Sequence, residues 1–281
     1  MALPDGFDLN KFVTGTLAED LGIGGDVTSS ATIPADATFT ADMNCREPIV
    51  VAGLEIAAAF FRALDPKVRA EPSVGDGEKV EAGTVLMHLS GNARAMLAAE
   101  RSALNTLQHL SGIATLTRRY VDAIVGSGAV LLDTRKTLPG LRSLEKYAAR
   151  MGGAQNHRLR LDDGVLIKDN HVAACGGVAE AVGRARAAST RLQVQVEVDR
   201  IDQIEPALGA GADRLLLDNM PPAMLREAVA LVAGRVPLEA SGGVTLETIR
   251  AIAETGVDYI SVGRITQSAP AVDIGLDYTL G

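Results

Sequence analysis

The chain has 281 residues, 47% of them apolar, which is enough to bury the core of one large α/β domain or of two smaller ones. Aromatics make up only 3% and Trp is absent, so the core must be built from Ala, Val, Leu and Ile, and stacking platforms for single-stranded nucleic acid are missing. A formal net charge of −8 and a pI near 5.1 argue against the broad basic face that general nucleic-acid binding needs.

Cys45 and Cys175 lie far apart and outside any C-x-x-C or metal spacing, so a reduced cytoplasm is the expected setting. The opening Met1-Ala-Leu-Pro-Asp-Gly6 has no basic stretch leading into an apolar one, so no signal peptide is expected. No apolar run approaches a membrane span. Leu9–Glu19 reads as a short amphipathic helix, and residues 20–30 as a loop with Asp26 and Thr28 as local caps. That loop has no Walker Lys-Ser/Thr and no buried strand before it, so it is not a phosphate loop. Thr38–Met43 and Ile49–Ala52 read as strands, Glu55–Leu64 as a helix stopped by Asp65-Pro66, and residues 77–91 as two short strands punctuated by Gly. His88 falls in this β piece and reads as a packed strand residue. Two helices are expected next, Ala93–Leu107 and Ile113–Val125, separated at Ser111-Gly112. On composition alone, Arg101 is a surface helix Arg paired with a carboxylate.

From residue 129 the chain becomes periodic. Apolar strand candidates at 129–133, 165–167, 194–198, 214–217, 236–240 and 259–262 alternate with helical patterns near 143–151, 177–188, 201–209, 222–233 and 245–255. Alternating βα units with buried Val, Leu and Ile strands predict a parallel sheet curled toward a barrel, incomplete because only six strands are clear. The stretch Thr134–His171 concentrates positive charge in an acidic protein, which makes it a candidate small-anion pocket; Arg142, Lys146 and Arg150 within it read as a solvated helix face. Sites in such folds sit at the C-terminal strand ends. Reading those ends in turn gives Arg135 and Lys136, Lys168, Glu197, Asp218, Ser241-Gly242-Gly243 and Gly263-Arg264.

Arg offers a planar fork and Lys a mobile charge for carboxylates or phosphates. The Ser241-Gly-Gly243 turn before a helix suits a phosphate cup. Glu197 and Asp218 suit Mg²⁺ or sugar hydroxyls. Together these point to a phosphorylated sugar meeting a small organic acid. A Schiff-base lyase using Lys168 stands as an alternative on spacing alone, and a non-catalytic anion-binding protein is a third reading.

A run of ordered motifs carries a resemblance: Glu19-Asp-Leu-Gly with Gly25-Asp-Val-Thr-Ser; Glu100-Arg-Ser-Ala-Leu-Asn with Leu110-Ser-Gly-Ile-Ala-Thr; Leu132-Asp-Thr-Arg-Lys-Thr with Pro139-Gly-Leu-Arg; Asn156-His-Arg; Leu166-Ile-Lys-Asp-Asn-His; Val196-Glu-Val; Leu217-Asp-Asn-Met; Leu238-Glu-Ala-Ser-Gly-Gly; and Gly256-Val-Asp-Tyr-Ile-Ser-Val-Gly. Over nearly its whole length the chain resembles the nicotinate-nucleotide pyrophosphorylase (carboxylating), or quinolinate phosphoribosyltransferase, family. The resemblance implies that quinolinate and phosphoribosyl pyrophosphate give nicotinate mononucleotide, pyrophosphate and CO₂ with Mg²⁺, in de novo NAD biosynthesis. It implies an N-terminal α/β sandwich over residues 1–112, joined by 268–281, and an incomplete parallel α/β barrel over 113–267, of the type II phosphoribosyltransferase kind. It also implies a homodimer in which Arg101 reaches the partner's site, which reverses the composition-based reading of that residue.

Carried over by position, Arg101, Arg135, His157, Arg158 and Lys168 would line the quinolinate carboxylate pocket, and Thr134 would be a further substrate-binding residue. Lys136 and Lys168 would also face phosphoribosyl pyrophosphate. Glu197 and Asp218 would take the ribose hydroxyls and Mg²⁺, and Ser241, Gly242, Gly243, Val262, Gly263 and Arg264 the 5′-phosphate. Lys136, Lys168, Glu197 and Asp218 would be the catalytic set. The chain departs from the family pattern at Gly22-Ile-Gly-Gly-Asp, one residue long, and at Leu138, Ala154, Arg264 and Gln267. Arg264 adds a cation beside the phosphate cup and is expected to tighten it. A molybdenum-associated sister group is the other family reading; it departs at the Thr-Arg-Lys and Ile-Lys-Asp-Asn motifs, and both are intact here.

Overall fold

The computed structural model describes Pro4, residues 6–188 and residues 191–279. The first residues, on which the signal-peptide reading rests, and the last two of the 268–281 segment lie outside the described residues. The chain forms two compact units. One holds the described residues through Thr117, then Ser143–Gly153, then the chain from Ser268; the other holds Arg118–Arg142 and Ala154–Gln267.

In the first unit, α1 (Leu9–Leu21) starts where the Asp8 side chain accepts the Lys11 N–H. The loop expected after it is in part a helix, α2 (Val27–Thr32), because Asp26 accepts the Ser29 N–H and so acts as a true N-cap rather than a turn residue. There follow β1 (Thr38–Cys45), β2 (Ile49–Val50), α3 (Leu54–Leu64), β3 (Arg69–Pro72), β4 (Lys79–Val80), β5 (Val85–Asn92) and α4 (Ala93–Ala123). An antiparallel sheet in the order β12-β1-β5-β3 recruits β12 (Ile274–Thr279) from the end of the chain, with Cys45 opposite Ile274. Met43, Phe60, Phe61, Leu86, Met87 and Met96 are fully buried in its core. His88 is not packed: its side chain is exposed, and Nδ1 lies 2.6 Å from the Asp42 carboxylate across the β1–β5 pair.

Helix α4 is one helix of 31 residues where the sequence predicts two. Gly112 sits within it, and the reason for glycine there is close approach, not helix breaking. A Cβ on Gly112 would lie 2.1 Å from the Pro270 carbonyl oxygen. In an open helix, Gly→Ala gains about 1 kcal/mol. At Gly112 we expect the opposite sign: Gly112→Ala should lose about 1–3 kcal/mol by overpacking and lower the melting temperature by several degrees. A melting temperature that rises would show that the Pro270 segment can simply move aside.

Helix α5 (Arg142–Met151) is not the solvated basic face that its charges suggest. Glu145 and Lys146 are buried, and Glu145 lies 2.9 Å from His109 Nε2. The Tyr147 hydroxyl donates to Asp76, whose carboxylate also accepts the Gly53 and Leu54 N–H groups. Burial, with the hydrogen bond and charge of Asp76, pushes the Tyr147 phenol well above its ordinary pKa.

The second unit is built on a parallel sheet in which β6 (Val130–Leu132) is followed by β7 (Val165–Ile167), β8 (Val194–Val198), β9 (Arg214–Asp218), β10 (Leu238–Ser241) and β11 (Tyr259–Ser261). The strand order is β6-β11-β10-β9-β8-β7, all pairs parallel, so the six expected strands are all present. Gln155 extends the β6 edge by a parallel bridge to Leu132. Helices α6 (Asp169–Cys175), α7 (Val178–Ala187), α8 (Ile204–Gly209), α9 (Pro222–Val232), α10 (Ile249–Ala253) and α11 (Arg264–Gln267) connect the strands. Helix α6, between β7 and α7, is not among the helices expected from the periodicity. Paired strands give the α/β fold expected from the periodicity: an incomplete parallel barrel in this unit and an antiparallel sheet in the first.

Candidate active site

Because every strand of the second unit runs the same way, the C-terminal ends share one edge of the sheet. They bring Thr134, Arg135 and Lys136 (after β6), Lys168 (after β7), Glu197 (in β8), Asp218 (end of β9), Ser241 with Gly242 and Gly243 (end of β10), and Val262, Gly263 and Arg264 (after β11) to that edge. The register puts Asp218 opposite Ser241, and Leu216 opposite both Glu197 and Glu239. With period-2 alternation, Glu197, Asp218 and Ser241 therefore share one face.

The residues after Gln155 add two more cationic side chains, Arg158 and Arg160, and a histidine. The His157 N–H donates to Asp133 Oδ1 at 2.8 Å, and Asn156 Nδ2 donates to Asp133 Oδ2 at 2.5 Å. The next residues form a tight loop: Asp163 accepts the Leu159 and Arg160 N–H groups, and Arg158 Nη1 donates to the Gly164 carbonyl at 2.9 Å. Burial, and then the charge of Arg135, press the Arg158 guanidinium below its ordinary pKa. Arg135 Nε is buried with no hydrogen-bond partner among the described residues. Two half-buried guanidinium groups, close enough for the charge of Arg135 to act on Arg158 and one of them with an unused donor, suit an anion.

The cup around Ser241-Gly242-Gly243 is shaped by backbone. Gly242 has φ +95, and a Cβ there would lie 2.1 Å from Asn219 Oδ1; Gly243 has φ +60 with open space where a Cβ would be. Asn219 itself is left-handed at φ 55, its N–H donates to the Ser241 carbonyl, and its Nδ2 donates to Asp218 Oδ2 at 2.6 Å. Across the edge, Thr134 Oγ1 accepts the Lys136 N–H, and Thr266 Oγ1 donates to the Lys136 carbonyl. The Lys136 side chain runs over Gly263, where a Cβ would meet Lys136 Cδ at 2.7 Å. Val262 is buried, with its N–H donating to the Leu132 carbonyl. Arg264 is exposed at the start of α11. Its charge is felt by Tyr120 and by Glu247, the latter in the turn that follows the cup.

Lys168 Nζ lies 2.9 Å from Glu197 Oε2, with Lys168 half exposed and Glu197 mostly covered. An exposed, carboxylate-paired ammonium is not the desolvated amine that Schiff-base chemistry needs, so the lyase alternative loses its nucleophile. Among the described residues no three His, Cys, Asp or Glu side chains are grouped to hold a metal ion. Glu197 and Asp218 are two carboxylates on one face, a donor set suited to an ion that arrives with substrate phosphates.

Sequence reasoning gave no role to the polar layer beneath this edge. Gln195, Arg214, Glu239 and Tyr259 share the inward face of β8, β9, β10 and β11. Glu239 is fully buried. Its Oε2 accepts from Gln195 Nε2 at 2.8 Å and lies 3.0 Å from Arg214 Nη2 and 3.5 Å from His157 Nε2. The Arg214 contact is an ion pair without hydrogen-bond alignment, since that guanidinium stacks on the Tyr259 ring, 3.8 Å from its centroid. The available signal was a charged residue inside an apolar strand, in Leu238-Glu239-Ala240 and in Asp213-Arg214-Leu215.

In the first unit, Arg101 is exposed on α4 and makes no hydrogen bond or ion pair among the described residues. The carboxylate beside it, Glu100, is taken by the Tyr278 hydroxyl at 2.9 Å, so the paired surface arginine expected from composition is not what forms.

Comparison with known proteins identifies the family. Residues 26–111 match the model of the quinolinate phosphoribosyl transferase N-terminal domain, and residues 113–277 match that of the C-terminal domain. The chain is 46% identical to the nicotinate-nucleotide pyrophosphorylase [carboxylating] of Mycobacterium leprae, over 93% of this chain and 94% of that protein. It is 42% identical to the probable enzyme of the same name from Bacillus subtilis, over 97% and 94%. The crystal structure of nicotinate-nucleotide pyrophosphorylase from Ehrlichia chaffeensis superposes with a TM-score of 0.94 at 39% identity, covering 98% of this chain and all of that one. With both domain models matched in order along a chain of the expected fold, this protein belongs to the quinolinate phosphoribosyl transferase family.

Proposed function

We propose that the strand-end edge of the second unit is where this chain, as a family member, transfers phosphoribosyl from phosphoribosyl pyrophosphate to quinolinate with loss of CO₂, in NAD biosynthesis. The observation that carries the reading is the Arg135–Arg158 pair: two half-buried guanidinium groups within reach of each other's charge, one with a buried Nε that has no partner among the described residues, suit a rigid dicarboxylate. The Ser241-Gly-Gly243 cup with Lys136 over Gly263 suits the phosphates.

The residues then divide the work. Arg135 and Arg158, with His157 behind them, hold the two ring carboxylates and so aim the pyridine nitrogen; its lone pair is free, so no general base is needed there. Ser241, Gly242, Gly243, Val262, Gly263 and Arg264 fix the 5′-phosphate end. Glu197 and Asp218 hold the ribose hydroxyls, and Lys136 and Lys168 face the leaving pyrophosphate oxygens as the C1–O bond breaks. The ring nitrogen bonds to C1, and the pyridinium draws in the electrons of the bond to the 2-carboxylate, which leaves as CO₂ while the ring carbon takes a proton. Mg²⁺, held by Glu197 and Asp218, would neutralise charge on the pyrophosphate.

A homodimer in which the exposed, unpaired Arg101 completes the partner's carboxylate clamp belongs to the same proposal. So do the division of the chain at residues 112–113 and 267–268, and a cytoplasmic setting suited to the free thiols of Cys45 and Cys175. No helix among the described residues is long and apolar enough to cross a membrane. Intact Thr134-Arg135-Lys136 and Ile167-Lys168-Asp169-Asn170 favour this activity over the molybdenum-associated sister group.

The test is turnover. Purified protein with quinolinate, phosphoribosyl pyrophosphate and Mg²⁺ should release CO₂ and nicotinate mononucleotide in equal amounts. Nicotinate should not replace quinolinate, and chelation of Mg²⁺ should stop the reaction. Turnover of nicotinate at a comparable rate would mean that the guanidinium pair does not read a second carboxylate.

A further inference from the structure

We infer that Glu239 is a positioning residue for the acceptor site, acting through His157 to hold the main chain of Arg158. The inference rests on the acceptor reading of Arg135 and Arg158 given above, and it concerns a fully buried residue two positions before Ser241 on β10.

The chain of contacts is short. The Arg158 N–H donates to His157 Nδ1 at 2.8 Å. With Nδ1 occupied as an acceptor, the ring proton sits on Nε2, the nitrogen that lies 3.5 Å from Glu239 Oε2. Both imidazole nitrogens are thus engaged inside the protein, so His157 serves the site by fixing the backbone of its neighbour and not as a second free cation. The same backbone is pinned from the other side, where Asp133 Oδ1 accepts the His157 N–H.

Such a brace has work to do here. The charge of Arg135 disfavours that of the Arg158 guanidinium, which the Gly164 carbonyl and the nearby charge of Asp163 hold in place. Without bound anion, repulsion would swing the two apart. A fixed Arg158 backbone limits that motion, so less ordering is left for the substrate to induce.

Glu239 has the means to act as the anchor. It is fully buried on the middle of β10, a strand paired on both sides, and Gln195 and Arg214 steady it from β8 and β9. Burial alone would raise its carboxyl. The His157 contact, the charge of Arg214 and the Gln195 amide outweigh that and hold it below the usual carboxylate range, so it is an anion at neutral pH. Its other oxygen, Oε1, has no hydrogen-bond partner among the described residues. A buried anion left half satisfied is a poor device for stability alone.

Glu239→Gln keeps the shape and removes the charge. In the full-length protein we expect KM for quinolinate to rise about tenfold, with KM for phosphoribosyl pyrophosphate within twofold of wild type. In the His157→Asn background, where Asn Oδ1 can still accept the Arg158 N–H but nothing reaches Glu239, Glu239→Gln should add no further loss. An unchanged quinolinate KM in E239Q, or losses that multiply in the double variant, would overturn the inference. Nitrogen NMR of labelled histidine in wild-type protein supplies a readout independent of turnover and of the folding of any variant. An Nε2-protonated His157 supports the relay, and an Nδ1-protonated ring overturns it. A wild-type protein that does not consume quinolinate would sink the acceptor reading instead, and the tautomer would then decide the Glu239 link by itself.

Discussion

Replacing Arg135 with Ala is expected to lower kcat/KM for quinolinate by a hundredfold to several thousandfold while leaving the protein at least as stable as before. Truncating one member of a covered, charge-assisted clamp costs on the order of 3–5 kcal/mol of binding, and each 1.4 kcal/mol is about tenfold. The stability half of the expectation comes from the unliganded structure. Arg135 has a buried Nε with no hydrogen-bond partner among the described residues, and its charge presses on Arg158. Removing it relieves both costs. An arginine whose loss leaves stability intact and abolishes activity is one held in place for a ligand. Arg135→Lys should recover little, because a point charge cannot reproduce a two-pronged contact with a carboxylate. KM for phosphoribosyl pyrophosphate should stay close to wild type, since Lys136 and the glycine cup lie elsewhere on the edge. Kinetics and a melting curve on the same preparation check all three. A kcat/KM within threefold of wild type would remove Arg135 from the acceptor site.

Much of this was legible in the sequence because the barrel rule ties function to periodicity. Once six apolar strands could be seen, their ends nominated Arg135, Lys136, Lys168, Glu197, Asp218 and the Ser241-Gly-Gly243 turn, and the structure puts all of them on one edge. Elements whose reason is tertiary were not legible. Gly112 reads as a break between helices, yet it is the place where the Pro270 segment presses on one continuous helix. Lys146 reads as solvated because lysine usually is, whereas α5 turns that face inward. His88 has the alternating surroundings of a core residue but falls on the exposed face with Asp42. The Glu239 layer escaped for a different reason. A lone carboxylate in an apolar strand announces a partner without naming it, and its partners come from four separate segments: Gln195, Arg214, Tyr259 beneath the guanidinium, and His157.

The two glycines of the cup should separate under substitution, and the contrast tests whether the turn binds phosphate or merely turns. Gly242→Ala puts a Cβ 2.1 Å from Asn219 Oδ1 and 2.9 Å from the Asn219 nitrogen, at a φ of +95 that alanine rarely adopts. Backbone strain and overpacking together should cost about 2–4 kcal/mol of stability. Asn219 must also shift, and it is the residue that holds Asp218, so KM for phosphoribosyl pyrophosphate should rise at least tenfold. Gly243→Ala meets no protein atom, and its φ of +60 lies in the left-handed region at a cost of about 1–2 kcal/mol. Its open side is where an oxyanion would approach the backbone N–H groups. If the cup holds the 5′-phosphate, Gly243→Ala should therefore raise KM for phosphoribosyl pyrophosphate out of proportion to its small effect on melting, and leave KM for quinolinate nearly unchanged. Should Gly243→Ala bind phosphoribosyl pyrophosphate like wild type, the turn is a hinge that sets Asn219 and Asp218, and the phosphate must be held instead by Lys136, Gly263 and Arg264 on the facing strand end.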